Sequence, residues 1–141
     1  MARGRKLRSR EPRHPPRPTI LLVVDEILIR LVLAEHLESC GFTVINASNG
    51  LEAIRLLLEP DCPVELVFSD VRKSGAMDGV KLTQWISGRR PQIPLILASA
   101  ETDKTRIAIN PCGAHLLAKP YSLNGVVEQA RNLVRAQMRV Q

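Results

Sequence analysis

Ile20-Leu21-Leu22-Val23-Val24-Asp25-Glu26, continuing into Ile27-Leu28-Ile29-Arg30, is the stretch that decides the fold. Five consecutive apolar residues stop at two acids, and no polar position interrupts them. A strand with one wet face alternates apolar and polar residues, whereas a strand covered on both faces reads as a continuous apolar run. Beyond the acids, Ile27 to Cys40 is mostly apolar and stops at Gly41, as a helix does. A buried strand followed by a helix is the opening half of a parallel α/β unit.

The same alternation repeats along the chain. Phe42 to Ala47 reads as a second strand, and Asn49 with Glu52 three residues on forms a capping box for a helix over Gly50–Glu59. Val64 to Ser69 is a third strand, ending at Asp70. A polar loop from Val71 to Met77 follows, and Asp78 caps a helix from Gly79 to about Gly88. Leu95–Ser99 is a fourth strand, Glu101–Ile109 a short helix stopped by Asn110-Pro111, and Ala114–Ala118 a fifth strand. After Ser122, the residues Leu123, Val126, Val127, Ala130, Leu133 and Val134 follow helical spacing. Five strands alternating with five helices predict an α/β domain with a doubly wound, five-stranded parallel sheet. The common order for such a sheet is 2-1-3-4-5, with ligands bound beyond the carboxyl ends of the strands near the first and third.

The 141 residues suit one domain, and 45% hydrophobic content supports a core. Only 3% is aromatic, which argues against a nucleic-acid platform built on base stacking. Seven basic residues and one acid lie within residues 1–19, which accounts for the whole formal charge of +6. Residues 20–141 hold thirteen of each sign. The expected organisation is a disordered basic Pro/Arg-rich tail over 1–18 and one domain over 19–138, with no output domain after it. Cys40, Cys62 and Cys112 are odd in number and lack metal-ligand spacing, so a reduced, cytoplasmic setting is expected. No apolar run is long enough to span a bilayer, and no secretory signal opens the chain.

Chemistry gathers at the predicted strand ends. Asp25 and Glu26 follow the first strand, Asp70 the third, Ser99 closes the fourth, and Lys119-Pro120 follows the fifth. Converging carboxylates repel unless a cation joins them, and a hard ion with oxygen ligands such as Mg²⁺ suits them. Ser99 and Lys119 then suit phosphoryl oxygens, and an aspartate can attack phosphorus to give an acyl phosphate. Each residue also has a plainer reading. Asp25 suits a helix cap, Glu26 a solvated first-turn acid, and Ser99 a backbone partner.

Residues Ile20–Arg30, Phe68-Ser-Asp-Val-Arg72, Met77-Asp-Gly79, Pro94–Ala100 and Leu117-Ala-Lys-Pro-Tyr121 together resemble the receiver domain of two-component response regulators. The resemblance covers about residues 19–138 and implies the flavodoxin-like, CheY-like fold. It implies Asp70 as phosphoacceptor, with Lys119 and Ser99 assisting. It implies a Mg²⁺ site formed by Asp25, Asp70 and the backbone carbonyl of Arg72, with Glu26 as a further candidate. A cis peptide bond before Pro120 is implied as well. The partner implied is a sensor histidine kinase or a histidine phosphotransfer protein. The chain would assist only its own phosphorylation and dephosphorylation, and is otherwise not an enzyme.

Three positions depart from the family pattern. The first of the family's two adjacent acids falls on Val24, its Met-Pro after the phosphoacceptor is Lys73-Ser74, and its aromatic switch position is Leu116. A degenerate pseudo-receiver, acting as a phosphorylation-independent binding module, is therefore a second hypothesis. An unrelated α/β enzyme is a third. Against it, Arg72 stands where a phosphoaspartyl hydrolase needs a second aspartate, and no GxGxxG, Walker A or GxSxG sequence occurs. The helix from Ile27 is more apolar than one-sided burial requires. Ile29, Val32, Pro120 and Tyr121 are expected to form a partner-docking patch, with Ile29 near its centre.

Overall fold

A computed structural model of the chain describes residues 17–71, 78–99 and 113–140. The strands are β1 (Thr19–Val24), β2 (Thr43–Ala47), β3 (Leu66–Asp70), β4 (Leu95–Ser99) and β5 (His115–Ala118). The helices are α1 (Ile27–Ser39), α2 (Gly50–Leu57), α3 (Gly79–Arg89) and α4 (Leu123–Val140). All strands are parallel and the order is β2-β1-β3-β4-β5, as the alternating pattern predicts. The helix expected at Glu101–Ile109, residues 1–16 of the expected tail, and Arg72, Lys73 and Ser74 lie outside the described residues.

Every residue of β1 is buried, because side chains of period two feed a separate core on each face of the sheet. Ile20, Leu22 and Val24 join Leu33, Leu37, Phe68, Ile96, Val126 and Ala130 beneath α1 and α4. Leu21 and Val23 join Ala53, Leu57, Val67, Leu82, Ile86 and Leu97 beneath α2 and α3. The central strands therefore see little water on either face among the described residues, and β3 ends in Asp70 and β4 in Ser99 at the carboxyl edge of the sheet.

Local signals behave largely as expected. Gly41 takes φ of 102°, and the amide of Phe42 reaches back 3.0 Å to the carbonyl of Leu37, closing α1. Asn49 Oδ1 accepts from the amide of Glu52 at 2.8 Å. The capping box itself is displaced by one residue: Glu52 accepts from the amide and hydroxyl of Ser48, at 2.7 and 2.9 Å. Those bonds, the amide's first, hold the Glu52 carboxyl below its usual range. Asp78 and Ser122 cap α3 and α4, accepting at 2.9 Å from Lys81 and Gly125. Gly79 opens α3 where a Cβ would lie 2.9 Å from Leu97 Cδ1, so any larger residue there has to displace the tip of that leucine.

One boundary needs correction with consequences for the site. The third strand begins at Leu66 rather than Val64 and runs through Asp70. Pairing with β1 continues as far as Val24 opposite Asp70, so the aspartate is the last ladder residue and not the first loop residue.

Candidate functional site

Asp70 is only 1% exposed, an unusual place for a carboxylate without a partner. Two side chains from the segment after β5 meet it. Lys119 Nζ lies 2.6 Å from Oδ1, and the Tyr121 hydroxyl donates to Oδ2 at 2.6 Å. The lysine contact is an ion pair without hydrogen-bond alignment, so Oδ1 takes no hydrogen bond among the described residues. Oδ1 instead faces the lysine ammonium, whose charge offsets the cost of burying the carboxylate.

The backbone explains why this segment reaches across. The Lys119 amide donates to the Ser99 carbonyl at 3.2 Å, extending the β4–β5 pairing beyond Ala118. The Lys119–Pro120 peptide is cis, as expected, and Tyr121 follows it. Its ring meets Phe68 edge to face, with centroids 5.6 Å apart and planes at 78°. Phe68 and Asp70 are two apart on β3 and so share a face, which sets the tyrosine hydroxyl at the carboxylate.

Of the residues expected at the site, the structure brings Asp70 and Lys119 into contact. Ser99 closes β4, half-buried, beside the Lys119 backbone. Asp25 is half-buried immediately after Val24, which pairs with Asp70, so both acids stand at neighbouring strand ends. Glu26 is exposed and occupies the cap position of α1, where its side chain makes no capping hydrogen bond. Asp25 is thus not the cap residue, which removes its plainer reading in that form. Arg30 Nη1 donates to the Val24 carbonyl at 2.6 Å and fastens α1 to the end of β1. Val24 itself is 1% exposed and belongs to the core, not to a ligand set.

Among the described residues no group of three His, Cys, Asp or Glu side chains is arranged to hold a metal ion. Two carboxylates with water and a backbone carbonyl would still satisfy Mg²⁺, which keeps most of its hydration. Asp25 and Asp70, at neighbouring strand ends, are the described carboxylates that would supply it; Arg72 lies outside the described residues.

Ile29, Val32, Pro120 and Tyr121 line one groove of about 660 Å³, together with Leu28, Leu33, Lys119 and Leu123. Ile29 is half-buried and packs on the core, whereas Leu28 and Val32 are 68% and 51% exposed. The outward apolar surface is therefore carried by Leu28 and Val32 more than by Ile29. Sequence reasoning placed Tyr121 in the docking patch and missed its bond to Asp70. The available signal was a hydroxyl two residues after the lysine.

The profile of the response regulator receiver domain matches residues 20–131. The transcriptional regulatory protein AruR of Pseudomonas aeruginosa is 35% identical over 125 residues, covering 84% of this chain and 50% of that protein. The chain spans about half the length of two of the curated regulators it matches and a quarter or less of others, such as DctD of Rhizobium meliloti at 25%. A CheY-like receiver domain protein from Methanospirillum hungatei JF-1 superposes with a TM-score of 0.80 at 20% identity, covering 89% of this chain and 99% of that one. The signal receiver domain of a signal transduction histidine kinase from Syntrophus aciditrophicus is 29% identical with a TM-score of 0.73, covering 84% and 91%. With the sheet order, the buried aspartate and its lysine in place, the chain belongs to the family of response regulator receiver domains.

Proposed function

We propose that Asp70 accepts a phosphoryl group from a phosphohistidine of a sensor histidine kinase or a histidine phosphotransfer protein. The observation that carries this reading is the buried Asp70 carboxylate, set at the end of the central strand with Lys119 Nζ 2.6 Å away. A carboxylate oxygen of Asp70 attacks phosphorus, the P–N bond breaks, and its electron pair leaves on the imidazole nitrogen. The product is an acyl phosphate. The Lys119 ammonium is positioned to offset charge on the phosphoryl oxygens, and Ser99 at the neighbouring strand end supplies a hydroxyl donor. Asp25, Asp70 and the carbonyl of Arg72 would hold Mg²⁺, which supplies charge neutralisation during transfer. Beyond this self-modification no enzymatic activity is assigned.

The donor protein docks on the groove between α1 and the Lys119–Leu123 segment. That surface is apolar, borders the acceptor, and suits the apolar face of a phosphohistidine-bearing helix. Phosphohistidine donors are charged from ATP, which places the exchange in the cytoplasm. The modified domain signals onward by protein contact or by passing the phosphoryl group on.

A second reading, a phosphorylation-independent binding module, is favoured by one observation: the first of the family's paired acids is here the buried core residue Val24. Incubation with Mg²⁺ and acetyl phosphate, followed by intact-mass measurement, separates the two. A gain of one phosphoryl group, absent without Mg²⁺, supports the acceptor. An unchanged mass refutes it in favour of the binding module.

A further inference from the structure

Oδ2 of Asp70 is already engaged. The Tyr121 hydroxyl donates to it at 2.6 Å, while the other oxygen faces Lys119. An oxygen that uses a lone pair to hold a tyrosine proton is a poorer nucleophile. Tyr121 also stands on the boundary between two environments. Its ring packs edge to face with Phe68 of the core and lines the apolar groove with Leu28, Ile29 and Val32. The position three residues before Lys119 is Leu116, which packs beneath the opposite face of the sheet and carries no hydroxyl. Tyr121 is the one tyrosine of the chain.

We infer that Tyr121 is a gate on the acceptor carboxylate: its hydroxyl holds Oδ2 in the unmodified state and must release it for phosphoryl transfer. This rests on Asp70 being the phosphoacceptor. In the transfer step the hydroxyl keeps its proton and exchanges the carboxylate for another acceptor. The freed oxygen then forms the bond to phosphorus. With acetyl phosphate as donor, the P–O bond breaks and its electron pair leaves on acetate. Since the released ring also forms a wall of the groove, the two states of Asp70 present different surfaces beside α1.

The experiment uses the full chain with tyrosine ¹³C-labelled at Cζ, whose single resonance reports the hydrogen bonding of the Tyr121 hydroxyl. Spectra are recorded before and after Mg²⁺ and acetyl phosphate, with intact mass measured on the same sample. The gate predicts that the resonance moves when the mass rises by one phosphoryl group. In parallel, Tyr121→Phe keeps the ring and removes the hydroxyl, and it should speed initial labelling about tenfold, equivalent to ~1.4 kcal/mol. A phosphorylated sample with an unmoved tyrosine resonance overturns the gate and leaves the acceptor reading standing. So does a Tyr121→Phe variant that labels at the wild-type rate or more slowly. An unchanged mass in the wild type overturns both.

Discussion

Replacing Lys119 with methionine removes the ammonium that faces Asp70 and leaves a carboxylate that is 1% exposed with the Tyr121 hydroxyl as its remaining described contact. At 2.6 Å and an effective dielectric constant of about 20, the gross attraction between the two charges is about 6 kcal/mol. Most of that offsets the cost of taking both groups from water. Breaking a buried pair by removing one partner costs roughly 3–5 kcal/mol. Here the lysine side chain is 21% exposed, so water softens the loss and the low end applies, about 3 kcal/mol. Asp70→Asn should cost less than about 1 kcal/mol, since a neutral amide replaces the buried charge and the lysine can turn toward solvent. The double variant should then recover about 2 kcal/mol relative to Lys119→Met alone. Urea denaturation without Mg²⁺, followed by fluorescence of the single tryptophan, Trp85, measures all three. If Lys119→Met costs under 1 kcal/mol, or if the two changes add without coupling, the charges are not facing each other in a buried site.

Val24→Asp places a second carboxylate opposite Asp70 in the β1–β3 ladder; Mg²⁺ titration should show about tenfold tighter binding than wild type, or ~1.4 kcal/mol, and equal affinities would assign the role to another group. Leu28→Gln, at a position 68% exposed, should leave stability within about 0.5 kcal/mol and labelling by acetyl phosphate intact, while slowing transfer from a phosphohistidine protein at least tenfold. Equal slowing with both donors would remove the groove from the docking surface. Gly79→Ala should destabilise by about 1–3 kcal/mol, because its Cβ would stand 2.9 Å from Leu97 Cδ1; thermal melts check it, and an unchanged melting temperature would mean that the tip of that leucine gives way freely.

What was legible in the sequence follows from how far each signal reaches. The unbroken run Ile20–Val24 declares a strand buried on both faces, and Asn49, Asp78 and Ser122 declare helix starts within three residues of themselves. The end of β3 was less legible, since pairing of Asp70 with Val24 is a property of a partner strand 46 residues away. The two faces of α1 were not separable either. Ile27, Leu28, Leu31 and Val32 lie outward while Leu33 and Leu37 lie inward, yet all are apolar. The Tyr121–Asp70 bond joins residues 51 apart through the turn at Pro120 and has no local trace in composition or period. Strand-end position alone gathered Asp25, Asp70, Ser99 and Lys119, because parallel strands deliver their last residues to one edge whatever the helices between them contain.

The central claim is that the phosphoryl group lands on Asp70. Borohydride reduces an aspartyl phosphate to homoserine, so the labelled chain can be reduced, digested and sequenced by tandem mass spectrometry. The account predicts homoserine at position 70 and at no other aspartate, with none formed in Asp70→Asn. Homoserine at position 25 or 61, or an unaltered aspartate at position 70 in a chain that has gained a phosphoryl group, would contradict it.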